Sequence, residues 1–111
     1  MRKLAVLIAV LGAPVLALAA EWQNVSMVDS MCQPKMKDNP DGHTVSCALK
    51  CGDSGFQIRT AENTWVKLDP AGNKLAVAAL KSTKKKDHIR VNVAGEQKGD
   101  VIAVSSLKMA D

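Results

Sequence analysis

Tyrosine is absent from this chain, phenylalanine occurs once and tryptophan twice. With only Trp22, Phe56 and Trp65 as aromatics, the interior has to be assembled from Val, Leu, Ile, Ala and Met. So few rings also leave little on which nucleic-acid bases could stack. No C-x-x-C occurs, and the order of strands and helices is not thioredoxin-like, which argues against a disulfide oxidoreductase of that kind. The C-x2-C knuckles of established zinc sites are missing for the same reason. Acidic residues are scattered, with no paired carboxylates and no Ser-His-Asp pattern, so no hydrolytic site is placed and an enzyme is not the expectation.

What is present begins with a leader. Arg2 and Lys3 give a positive start, Leu4 to Leu18 are apolar apart from Gly12 and Pro14, and Ala17-Leu18-Ala19 offers small residues for cleavage after Ala19 or Ala20. That order is expected of a signal peptide over residues 1–20. A spanning helix would need about 20 apolar residues without the internal Gly and Pro. No cysteine stands at the cleavage point to carry a lipid. Residues 21–111 are then expected as one exported domain, periplasmic or secreted, free of the membrane and monomeric.

Removing the leader also corrects the charge. The chain carries 15 Lys+Arg against 11 Asp+Glu, a net +4; without Arg2 and Lys3, 13 against 11 remain, a net +2. That surplus is too small to indicate a nucleic-acid partner. A domain of this size has a modest core, so each cross-link or ion bound to it weighs more.

The exported part divides into a cysteine-bearing front and a regular back. Val25 to Asp29 predicts a first strand ending at Asp29-Ser30. Gln33 to Gly42, with two prolines, reads as a loop. A short helix follows over 44–50, with Asp41 or Thr44 as cap and Gly52 as terminator. Beyond Gly55 the period changes to two. Phe56, Ile58 and Thr60, then Thr64, Val66 and Leu68, predict a hairpin. Asp69-Pro70 opens a second helix with an apolar stripe of Leu75, Ala76, Ala79 and Leu80, ending near 81–83. Ile89, Val91 and Val93 mark a fourth strand, a turn covers 95–100, and a fifth strand runs over 101–107. The fold class is therefore mainly β, with two short helices: an OB-fold-like five-stranded barrel or a strongly curled antiparallel sheet.

Over nearly all of this length the chain resembles a family of small exported bacterial proteins with an OB-fold-like barrel. The residues that carry the resemblance are Val28-Asp29 followed by Cys32, His43 before Cys47-Ala48 and Cys51, then Gly55, the Trp65-Val66-Lys67-Leu68-Asp69 hairpin end, Val91-Asn92-Val93-Ala94-Gly95 and Ile102-Ala103-Val104. The resemblance implies a fold and an exported setting, and no established reaction.

Function therefore turns on Cys32, His43, Cys47 and Cys51. Thiolates and imidazole are the preferred ligands of zinc and of reduced copper, and these four have the composition of a Cys3His site. Residues four apart on a helix rise about 6 Å and rotate only about 40° further round, which puts Cys47 and Cys51 on one face. His43 lies about 12 Å from Cys51 along a continuous helix, so it could share an ion only from outside the helix, folded back over its first turn. A disulfide is the competing reading, since cysteines in an exporting compartment usually pair. Cys32 with Cys47 or Cys51 would close a loop of about 15 to 20 residues and contribute about 3 kcal/mol. Three cysteines leave one over, which opens a third reading as a thiol-based redox or metal-scavenging protein. Lys84-Lys85-Lys86 reads as a solvated helix end, His88 as an exposed strand residue, and Met27, Met31 and Met36 as core or gap fillers rather than copper ligands. The expectation is a binding or structural module that holds a soft metal ion or a disulfide.

Overall fold

Alternation closes the back of the chain into a barrel. Met27, Ile58, Val66 and Val91, from four different strands, are each at most 1% exposed, and the sequence neighbours of the last three are half-buried or exposed. The computed structural model describes residues 19–111. The expected leader, 1–20, thus lies outside the described residues except for Ala19 and Ala20, the latter already paired with Gly95 in the sheet.

The strands are β1 (Ala20–Asp29), β2 (Phe56–Arg59), β3 (Trp65–Leu68), β4 (Arg90–Lys98) and β5 (Val101–Met109), in the closed order β1-β2-β3-β5-β4. All ladders are antiparallel except β3 with β5, where Lys67 faces Val101 and Leu68 faces Ile102 in parallel. That parallel seam turns the curled sheet into a closed mixed barrel of the OB-like kind and removes two sheet edges. The intervening helix α3 (Pro70–Ser82) makes the crossover possible.

Four segments differ from the sequence reading. β1 begins five residues earlier than Val25, because a bulge between Trp22 and Val25 lets Ala20–Trp22 pair with β4. The expected turn at 95–100 is a bulge at Ala94/Gly95 followed by a two-residue hairpin at Gly99-Asp100, with Gly99 at φ +67° in the first central position. A side chain at Gly95 would collide with the Ala103 carbonyl, so only glycine lets the two strands approach there.

The third difference is the face of α3. Asp69 caps it, accepting from Gly72 N–H at 2.9 Å, and the same oxygen accepts from Val104 N–H at 3.2 Å, locking the helix start to β5. A Cβ at Gly72 would stand 2.5 Å from Val104 Cγ2. The helix therefore buries Gly72, Ala76 and Leu80, one residue every four, and Leu75 is turned out to 38% exposure.

The connection from β1 to β2 carries the cysteines. Where the sequence reads as a loop over 33–42, it folds into α1 (Gln33–Met36), started by Pro34, and a 3₁₀ turn (Pro40–Gly42), started by Pro40. α2 (Val45–Lys50) follows, capped by Thr44 as expected, and a second 3₁₀ turn (Gly52–Ser54) leads into β2. Among the described residues this makes three α-helices where two were expected, the extra one being a single turn.

Candidate functional site

β1 ends on a carboxylate. By alternation Asp29 shares the inner face of β1 with Met27, and it pairs in register with Phe56 at one end of the barrel. It is fully buried. A charge there must be met by donors, and the connection supplies them. Nε2 of His43, itself 5% exposed, lies 2.7 Å from Oδ1 and donates to it when the carboxyl is ionised. Oδ2 accepts from the Cys32 N–H at 3.0 Å. Each oxygen keeps a further lone-pair direction.

Two thiols converge on the same carboxylate. Cys32 stands at the start of α1 and Cys51 at the end of α2, where the backbone leaves helical geometry at φ −102°, ψ 12°. Their sulfurs and a carboxylate oxygen of Asp29 all lie within 4.8 Å of one another. Both cysteines are half-buried. Partial burial, then the hydrogen bond to Asp29 and its negative charge, then the neighbouring Cys51, push the Cys32 thiol up to about 11. At neutral pH Cys32 is thus a protonated thiol bonded to Asp29, a poor nucleophile.

The four residues singled out in the sequence are divided by this arrangement. Cys32 and Cys51 come together. His43 does lie outside the helix, after the 3₁₀ turn, but it turns to Asp29 and holds the carboxylate rather than standing among the sulfurs. Cys47 is exposed on α2 and is not part of the group. The Cys47/Cys51 face foreseen on a straight helix is not used, because Cys51 has already left α2. All three cysteines are free thiols, so no disulfide joins them.

Asp29 is the residue the sequence reading passed over, taking it as a strand end followed by a turn. One signal could have found it. Val25, Met27 and Asp29 occupy alternate positions, so a strand that buries Met27 carries Asp29 inward too.

The remaining candidates sit elsewhere. His88 is exposed beside Asp87, 2.8 Å away, at φ +53°. Lys84 and Lys86 are exposed as read, but Lys85 Nζ bonds to the Ala110 carbonyl at 2.7 Å and so ties the segment after α3 to the end of β5. Met27 is in the core, Met36 is half-buried and Met31 is 66% exposed, so the three methionines form no shared ligand set. Searches against protein families, curated proteins and solved structures give no match to this chain.

Proposed function

We propose that this chain is a small exported binding module whose Asp29–Cys32–Cys51 group takes a single zinc-type ion, with His43 positioning the carboxylate. One observation carries the reading: three donor atoms from the end of β1, the start of α1 and the end of α2 meet within 4.8 Å. Bonds of about 2.0–2.3 Å set tetrahedral ligand atoms roughly 3.5 Å apart, so the group would have to close by up to about 1.3 Å on binding. Two thiolates and a carboxylate suit zinc better than reduced copper, because the oxygen is a hard donor. His43 then acts behind the ligand, fixing the orientation of Asp29. Binding has to expel the Cys32 proton, so uptake strengthens as pH rises. Export and the family resemblance belong to the same proposal.

A second reading rests on the same proximity. Cys32 and Cys51 are the two thiols that oxidation would join, closing a loop of about 20 residues worth about 3 kcal/mol. Competition of the reduced protein with a chromophoric chelator for zinc separates the two. One ion per chain is expected, lost in Cys32→Ala and Cys51→Ala and retained in Cys47→Ala. No uptake by the reduced protein, or loss of uptake in Cys47→Ala, rejects the ion site. A Cys32–Cys51 bridge mapped in protein purified without reductant supports the second reading.

A further inference from the structure

On the outer wall of the barrel, away from the thiols, a cleft of about 520 Å³ opens between β1, the β2–β3 turn and the start of β4. Its wall includes Asn24, Ser26, Arg59, Thr60, Asn63 and Arg90. The register explains how the arginines meet. Ser26 pairs directly with Arg90 on β4, and Met27 pairs with Ile58 on β2, so Arg59, the next residue after Ile58, flanks Ser26 from the other side. A guanidinium, a hydroxyl and a guanidinium therefore run in a row across three strands on one face.

The two cations are not equivalent. Arg90 is held by Asp41, through Nε at 3.1 Å and a terminal nitrogen at 2.8 Å. Among the described residues no carboxylate lies within ion-pair distance of Arg59. A second, independent observation points to a ligand. Ser26 is 2% exposed, and its Oγ is the buried side-chain polar atom that finds no hydrogen-bond partner among the described residues. A folded chain rarely leaves such a hydroxyl unmet, and its two unpaired functions lie beside a guanidinium that has no carboxylate in direct contact, Asp41 acting on it only at longer range. Asn24 at φ +52° and Asn63 at φ +62° frame the cleft with amide side chains on left-handed backbone.

We propose that this cleft binds a compact oxyanion, the phosphate or carboxylate of a polar small molecule. Arg59 supplies the charge and a forked pair of donors, Ser26 the hydroxyl beneath it, and the asparagine amides contact the polar remainder. Arg90 stays tied to Asp41 and offers the N–H groups not engaged there. The assignment does not depend on the ion site.

Amide chemical shifts of isotope-labelled protein, titrated with inorganic phosphate and with glucuronate, test it and separate the two sources of oxyanion. Saturable changes at Ser26, Arg59 and Asn63 are expected with at least one of the two, and not with sodium chloride at matched ionic strength. Arg59→Gln should weaken binding by about tenfold or more, and Ser26→Ala by about threefold to tenfold. Arg59→Lys keeps the charge and serves should the glutamine variant fold poorly; it too should bind more weakly, because the fork is lost. Changes equal to those of sodium chloride, or binding indifferent to both Arg59 variants, would overturn the proposal.

Discussion

The barrel wall and the connection that caps it are built on opposite principles. In the wall, Met27, Ile58, Val66, Val91 and Ile102 are apolar, fully buried and set by strand alternation. In the connection between β1 and β2, only Pro40, Val45 and Ala48 among the apolar residues are buried, and the segment is held by polar anchors: Asp29 to His43 and Cys32, and Asp41 to Arg90. Hydrophobic burial tolerates many sequences of similar volume, whereas a buried carboxylate requires particular donors at particular places. Chemistry therefore collects where the apolar pattern is thinnest.

The most severe way to break the contrast is to remove one member of each kind. Asp29→Ala leaves the buried His43 Nε2 without its acceptor, and the Cys32 N–H with only the backbone carbonyl of residue 29, and should cost about 3–5 kcal/mol in urea unfolding. Ile58→Ala empties a core position for about 2–5 kcal/mol. Similar losses should come with different surfaces: Asp29→Ala opens Cys32 and Cys51 to thiol reagents in the native state, while Ile58→Ala leaves them protected. Equal protection in both variants would erase the distinction between wall and connection.

The two polar anchors differ from each other as well. Asp41 is 28% and Arg90 34% exposed, against a fully buried Asp29. The Arg90 hydrogen bond, aided by the positive charges of Arg90, His88 and Arg59, holds the Asp41 carboxyl below its ordinary value despite some opposing burial. A carboxyl lowered by folding adds stability above its unfolded value and gives it up as pH falls through the folded one. Wild-type stability should thus drop more steeply than that of Asp41→Asn below about pH 4. Because the pair is part-solvated, the difference at neutral pH should be about 1 kcal/mol or less. Parallel acid curves for the two proteins would show that Asp41 is not an anchor.

The smallest effect belongs to Cys47. Exposed on α2 and outside the sulfur group, Cys47→Ser should change stability by no more than about 0.5 kcal/mol. Native-state alkylation near pH 8 should label Cys47 well before Cys32, whose thiol is pushed up to about 11. Faster labelling of Cys32 would contradict its bond to Asp29.

The same division decides what could be read from the sequence. Period-two patterns at Phe56 to Leu68 and Ile89 to Val93 placed the strands, and Asp69-Pro70 placed the start of α3, because each rests on contacts made within a few residues. The parallel β3–β5 seam, the bulges at Trp22/Val25 and Ala94/Gly95, and the outward turn of Leu75 are set by tertiary approach, which no local pattern encodes. At the site, residue types were legible and partners were not. Cys32 and Cys51 stood out by composition, but their union with Asp29 depends on α2 ending one residue before Cys51 and on β1 carrying Asp29 inward.

X-ray absorption at the zinc edge of the reduced, zinc-loaded protein tests the central claim most directly. The predicted shell holds two sulfurs at about 2.3 Å and oxygen or nitrogen at about 2.0 Å, and it is unchanged in Cys47→Ala. A shell without sulfur, or one of three sulfurs that includes Cys47, would contradict it.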